Sequence, residues 1–176
     1  MCGIVAYMGP RNGVPVVLDG LRKLEYRGYD SAGIAILNGK KIDIYRSVGK
    51  LIGLEDKIRE EQLCGTPVIG HTRWATHGRP TEANAHPHKY EGVVVVHNGI
   101  IENYLELRHE LAASGHEFSS ETDTEVISHL IVQELRLGAD FNQAVSRSLL
   151  RTRGTYALAV LYEKEPEKMI VARQSS

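Results

Sequence analysis

Cys2 stands directly after the initiator methionine and ahead of an apolar, strand-like run, Gly3-Ile4-Val5-Ala6-Tyr7. Methionine is usually trimmed when the next side chain is small. Its removal would place a thiol and a free α-amine on one residue, a nucleophile beside its own base. An ordinary cysteine with a pKa near 8.5 is only about 3% thiolate at pH 7. An α-amine of pKa roughly 7.7 to 8.0 is about 10% neutral at that pH and is a better base than lysine by about 3 kcal/mol. Nucleophiles activated by an N-terminal amine are an established variant of the serine–histidine arrangement. The alternative for a cysteine at this position is a small apolar filler on an edge strand, and the remaining polar residues decide between the two.

Four constellations bear on that choice. Residues 25–33, Glu25-Tyr26-Arg27-Gly28-Tyr29-Asp30-Ser31-Ala32-Gly33, make a charged turn whose Gly28 and Gly33 permit close backbone approach. Residues 69–78 deliver Arg73 from an apolar strand into a loop, and its planar fork suits a carboxylate, with hydroxyl and imidazole donors nearby at Thr76 and His77. That combination suits an amino-acid ligand. Trp74 in the same run is either a core anchor or a lid side chain. At His97-Asn98-Gly99 a side-chain amide and a glycine N–H meet where a strand is expected to end. Such a pair serves as an oxyanion hole, in which one donor contributes about 2.7 to 4 kcal/mol of transition-state stabilisation, or forms a tight Asn-Gly turn. Finally, Ser120-Glu121-Thr122-Asp123-Thr124-Glu125 caps a helix and places Asp123 in its first turn. That carboxylate either complements the helix dipole or, near Arg73, holds a substrate ammonium.

His71, His77, His86, His88 and His97 crowd a short stretch, which raises the question of a metal. The spacing argues against one, because no HExxH or paired CxxC is present and Cys64 stands alone.

The elements that must position these residues are legible from periodicity. Residues 2–9 read as a strand, and Val14, Val17, Leu18, Leu21 and Leu24 recur at helical spacing with Pro15 in the first turn. Strands over 31–37 and 42–48 flank Asn38-Gly39, a strong hairpin signal. A short helix around Leu51, Leu54 and Ile58 leads to a strand at 67–70, and a polar loop is expected over 71–90, too long to be a mere connector. A buried strand over 92–96 is expected to stop at His97-Asn98-Gly99, before a helix with Tyr104, Leu105 and Leu111 that Gly115 closes. Thr122 and Glu125 fit a capping box for the next helix, which ends at Gly138. Another helix over 141–149 and two strands, 155–162 and 169–172, complete the pattern. Strands neighbouring strands, with antiparallel hairpins, favour α+β with helices covering sheet faces over a doubly wound parallel sheet.

With 176 residues the chain is a single domain able to bury roughly 70% of its unfolded surface. Two cysteines make no disulfide framework, and no signal peptide or long apolar run is evident, so the expected compartment is cytoplasmic, with no membrane partner. Twenty-one basic against 22 acidic residues give a net charge of −1, which offers no electrostatic case for nucleic acid.

Taken in order, Cys2-Gly3-Ile4-Val5, EYRGYDSAG at 25–33, HTRWATHG at 71–78, VVHNGIIEN at 95–103 and SETDTEV at 120–126 resemble the glutaminase domains of class-II glutamine amidotransferases. Within them the blocks at 25–33 and 71–78 fit the sugar-aminating branch, the glutamine–fructose-6-phosphate aminotransferases, better than the phosphoribosyl-amine branch. The resemblance covers essentially the whole chain. It implies an N-terminal nucleophile hydrolase fold, a four-layer αββα sandwich of two antiparallel sheets. It further implies Cys2 as nucleophile with its own α-amine as base, and Asn98 and Gly99 as the oxyanion hole. Arg73, Thr76, His77 and Asp123 would hold the ends of L-glutamine, Trp74 would lie on a mobile loop, and Arg27 and Gly28 would line the nucleophile's surroundings. No metal or organic cofactor is required. The expected partners are L-glutamine and L-glutamate, the sugar-isomerising domain of a longer polypeptide, and another copy in a homo-oligomer. A retained Met1 would move the α-amine off Cys2 and leave little activity. Another amidohydrolase of the same type, or a non-catalytic amino-acid-binding module built on Arg73 and Asp123, are the alternatives.

Overall fold

The computed structural model describes residues 2–74 and 79–175. In chain order its elements are β1 (Gly3–Tyr7), α1 (Gly13–Leu24), a 3-10 turn (Glu25–Arg27), β2 (Ser31–Asn38), β3 (Lys41–Val48), α2 (Leu51–Glu61), β4 (Val68–Arg73), β5 (His88–Tyr90), β6 (Val93–Ile101), α3 (Tyr104–Ala113), α4 (Glu125–Arg136), α5 (Phe141–Arg151), β7 (Gly154–Tyr162) and β8 (Met169–Gln174). They form two four-stranded sheets, ordered β1-β4-β2-β3 and β5-β6-β7-β8, with antiparallel pairing throughout.

Side-chain alternation divides the core into three apolar layers. Val17 and Leu21 of α1 and Leu54 and Ile58 of α2 pack on Ile34, Ile36 and Val68 of the first sheet. Val126, Leu130 and Ile131 of α4 and Phe141 and Val145 of α5 pack on Val93, Val95 and Val160 of the second. Between the sheets lie Ala35, Ile69, Val94, Val96, Ala159 and Leu161. The order of layers is therefore helix, sheet, sheet, helix, the αββα sandwich that the resemblance implied. Each fully buried Val, Leu or Ile contributes roughly 1.5–3 kcal/mol of transfer free energy.

Local chemistry accounts for several boundaries. The Asn12 side-chain oxygen accepts from Val14 N at 3.1 Å and starts α1. Gly115 and Gly138, at φ 86° and 90°, follow α3 and α4 as left-handed stops.

Four expectations need correction. The β2–β3 loop is Gly39-Lys40, because Asn38 still pairs with Lys41 and only Gly39 of the Asn-Gly pair takes positive φ. The segment expected to be loop from 71 onward is strand as far as Arg73, since residues 71–73 pair with Gly33, Ala32 and Ser31, and His88–Tyr90 add a short strand. Asn98-Gly99 is not a turn at a strand's end. The β6 ladder runs unbroken from Val93↔Tyr162 to Ile101↔Gly154, and nine paired residues outweigh the turn preference of one dipeptide. Thr122 and Glu125 make no capping box either, and Asp123 precedes α4 instead of lying in its first turn. Glu125 reaches further back, accepting from the N–H and hydroxyl groups of both Ser119 and Ser120 at 2.6 to 2.8 Å.

Candidate active site

The phase of β1, β4 and β6 decides what meets between the sheets. Ile4 packs in the inter-sheet layer while Val5 and Tyr7 face the helices, so Cys2, two residues before Ile4, is in phase with the inter-sheet side. Ile69 puts His71 and Arg73 in the same phase, and Val94 and Val96 do so for Asn98. His97, Gly99 and Ile101 alternate toward the loop that precedes α4.

Cys2 is half-buried just ahead of β1. Its Sγ accepts the Trp74 N–H at 3.2 Å and lies 3.5 Å from the Trp74 carbonyl oxygen. Burial pushes its thiol pKa up, opposed by the Trp74 N–H, the positive amino terminus and Arg73. A raised pKa makes a partner base more necessary, since the thiolate fraction at neutral pH falls further.

One pocket is lined by Cys2, Arg73, Trp74, His86, His97, Gly99 and residues Thr122 to Thr124. Arg73 is 3% exposed, with its Nη1 3.8 Å from the Asp30 carboxylate and 3.4 Å from the Arg79 carbonyl. A guanidinium carries five donors, enough to hold that carboxylate and a ligand's together. Asp123 is buried, and its Oδ2 accepts the Ile101 N–H at 2.8 Å, which ties the loop before α4 to β6 beside Gly99.

Gly99 is locked by geometry. It takes φ 133°, and a Cβ there would lie 2.0 Å from the Thr155 carbonyl oxygen on β7. Asn98 opens onto a neighbouring inter-sheet cavity of about 490 Å³ that it shares with Gly3, Ile4, Leu24 and Arg27. The structure thus brings Cys2, Arg73, Gly99 and Asp123 onto one pocket and sets Asn98 and Arg27 on the adjoining one, next to Gly3. Gly28, at φ 77°, is covered by the Trp74 ring: a Cβ there would meet Trp74 Cζ3 at 2.5 Å. Trp74 is 53% exposed, so it is no core anchor. Thr76 and His77 lie outside the described residues.

Several polar residues at this end of the sandwich had no place in the site expected from sequence. Asp30, within the turn at 25–33, donates its backbone N–H to the Arg73 carbonyl at 2.7 Å besides approaching the guanidinium. Thr124 Oγ1 lies 2.9 Å from both His86 Nε2 and His97 Nδ1, and Thr122 Oγ1 is 3.0 Å from His88 Nε2. Burial holds these imidazoles and that of His71 neutral, outweighing the pull of Asp123 on His97 and of Glu125 on His88: the pKa of His86 falls well below its ordinary value, His97 is lowered, and His71 and His88 are lowered to about 3. The sequence signal was the histidine run itself, which spacing had tested only for metal binding. Among the described residues no group of three His, Cys, Asp or Glu side chains is arranged to hold a metal ion.

Residues 71–176 match the glutamine amidotransferase domain model. The chain belongs to this family. Among curated relatives, the glutamine–fructose-6-phosphate aminotransferase of Pyrococcus horikoshii is 53% identical over 178 residues, covering all of this chain and 30% of that protein. The enzyme of the same name from Rhizobium meliloti is 53% identical over 173 residues, covering 98% of this chain and 28% of the relative. This amidotransferase domain therefore spans less than a third of the curated relatives it matches. Among solved structures, glutamine phosphoribosylpyrophosphate amidotransferase of B. subtilis, complexed with ADP and GMP, superposes with a TM-score of 0.80 at 28% identity over 98% of this chain and 36% of that one. That likeness fits the N-terminal nucleophile fold and its two antiparallel sheets. No helix among the described residues of the amidotransferase domain is long and apolar enough to cross a membrane.

Proposed function

We propose that residues 1–176 form a single glutaminase domain that hydrolyses L-glutamine to L-glutamate and ammonia. The observation that carries this reading is the shared pocket: Cys2, the Gly99 backbone, Arg73 and Asp123 line one space, so nucleophile, oxyanion donor and both ends of an amino-acid clamp converge. Once Met1 is removed, the Cys2 α-amine takes the thiol proton and Sγ attacks the side-chain amide carbon. A carbon–sulfur bond forms and the carbonyl electrons move to oxygen, where the Gly99 N–H and the Asn98 amide stabilise them. Collapse of that intermediate breaks the carbon–nitrogen bond, and the Cys2 ammonium gives its proton to the departing ammonia. Water then cleaves the γ-glutamyl thioester, releasing glutamate and restoring the thiol. Arg73 holds the substrate carboxylate and Asp123 its ammonium, with Thr76, His77, Trp74, Arg27 and Gly28 around them. The names of the longer relatives, isomerising glutamine–fructose-6-phosphate aminotransferases, support fructose 6-phosphate as the acceptor of that ammonia; the proposed reaction is its conversion to glucosamine 6-phosphate by a sugar-isomerising domain of the same polypeptide, and the proposed compartment is the cytoplasm.

The test is glutamate release by protein whose intact mass shows the loss of one methionine. Turnover of glutamine, little or none of asparagine or simple acyl-amides, and no turnover by Cys2→Ala are the expected results. Tight glutamine binding without turnover, despite a confirmed free Cys2 terminus, would instead make the domain a binding module.

A further inference from the structure

His71 is fully buried on β4, between the sheets, and has no place in the reaction just described. Its Nε2 lies 3.0 Å from the His97 carbonyl oxygen and 2.8 Å from the Asn98 side-chain oxygen. A carbonyl only accepts, so Nε2 carries the hydrogen, and the Asn98 atom facing that N–H must be the amide oxygen and not its NH₂. The other ring nitrogen, Nδ1, is buried with no hydrogen-bond partner, which a bare lone pair tolerates and an N–H would not. The His86 ring stacks on that of His71 at 4.1 Å and fixes its plane. Tautomer and orientation are thereby determined from both sides.

We propose that His71 is the positioning residue of the oxyanion hole: its single N–H grips the Asn98 side chain by its oxygen and the His97–Asn98 peptide by its carbonyl. The amide NH₂ is then left to the inter-sheet cavity that Asn98 shares with Gly3, the neighbour of the nucleophile. Because the gripped peptide immediately precedes the Asn98–Gly99 peptide, the same contact steadies the Gly99 N–H. Burial holds the ring neutral, with a pKa lowered to about 3, so it orients the amide without adding a charge that would compete for the oxyanion. The inference rests on the glutaminase reading above, and it concerns the placement of its donors.

Three substitutions test it. His71→Leu removes the donor, His71→Asn places an amide N–H near the Nδ1 position, and His71→Gln places one near Nε2. In processed protein, glutamine kcat should fall about 10- to 100-fold in H71L and H71N, less than the roughly 10²- to 10³-fold set by outright loss of one oxyanion donor, because the donor is misplaced and not removed. KM should change little, and H71Q should recover most of the rate. Alkylation of Cys2 by iodoacetamide, which needs no oxyanion donor, should keep its wild-type rate in all three. In an Asn98→Ala background H71L should cost clearly less than it does in the wild type, because the part of its effect that passes through the Asn98 amide is already gone and only the hold on the His97 carbonyl remains. Unimpaired kcat in H71L, equal damage in H71N and H71Q, or an undiminished further loss in the N98A background would each overturn the proposal. Should H71L not fold, the H71N and H71Q pair still decides it. Failure of the wild-type domain to release glutamate would sink the glutaminase reading and the inference with it, whereas an active wild type with indifferent His71 variants would sink the inference alone.

Discussion

Gly99, the proposed oxyanion donor, is fixed by a close approach of two strands. Both Gly99 and Gly154, at φ 133° and 118°, lie on the last rungs of the β6–β7 ladder, and a Cβ on either would sit about 2 Å from a carbonyl oxygen of the opposite strand, at 2.0 and 2.1 Å. No side chain fits at either position without separating the two strands. Gly99→Ala should therefore lower glutamine kcat by about 10²-fold or more and cost roughly 1–3 kcal/mol of stability. Glutamate release and denaturant unfolding measure the two effects, and wild-type turnover in the variant would remove the Gly99 N–H from the reaction. Cys2, Arg73, Asn98, Gly99 and Asp123 could be proposed as site residues from sequence because each is chemically unusual in its local setting. Asp30, His71, His97 and Thr124 could not, because their roles come from partners 26 or more residues away on other strands and loops, and local spacing carries no information about cross-strand neighbours.

At the scale of elements, apolar periodicity located the helices and most strands, since the same stripes that predict them are what they bury. It failed where a ladder overrides local preference, as in β6 and the end of β4, and where a polar residue acts at long reach. Glu125 is the informative failure. Its first-turn position and the Thr122 spacing imitate a capping box, yet its carboxylate gathers four donors from Ser119 and Ser120. His129 lies 3.6 Å away. These bonds outweigh the cost of its burial and hold its pKa below the ordinary carboxylate range. Glu125 thus ties the start of α4 to the loop that carries Asp123 to the pocket. Glu125→Ala leaves those donors unpaired and should cost at least about 3 kcal/mol in denaturant unfolding, with hydrogen bonds to charged groups each contributing about 1.5–3. If Asp123 holds the substrate's ammonium as proposed, KM for glutamine should rise more than kcat falls. An unchanged KM would mean that Asp123 is placed by its bond to Ile101 N alone.

Across the whole molecule, neutral buried histidines join the layers at the site. His71 belongs to the first sheet, His86 to the segment crossing toward the second, and His88 and His97 to the second sheet, where Thr124 connects His97 to the loop before α4. Their chemistry makes the sandwich sensitive to acid in a defined direction. In the unfolded chain each histidine takes up a proton near pH 6.5, but in the folded protein burial lowers all four pKa values, for His71 and His88 to about 3. Between those limits the unfolded state binds more protons, so stability is fully present above pH 6.5 and declines as pH falls toward the folded values. His71 and His88, with folded pKa values of about 3, should each remove about 1 kcal/mol between pH 6.5 and 5.5, and His86 and His97 add to the loss in the same direction, a sizeable part of the ~5–15 kcal/mol that holds a domain together. The Glu125 carboxylate, whose pKa is also lowered, adds its own loss in the same direction at lower pH, once the unfolded carboxyl begins to protonate. Urea midpoints should accordingly drop steeply from pH 7.5 to 5.5 and be nearly level from 7.5 to 8.5. His88→Gln should make the drop shallower by about 1 kcal/mol between pH 6.5 and 5.5, since one titrating group is gone. A midpoint indifferent to pH between 7.5 and 5.5 would mean that the histidines take up protons in the folded state, and the polar contacts joining the two sheets would then have to rearrange without unfolding.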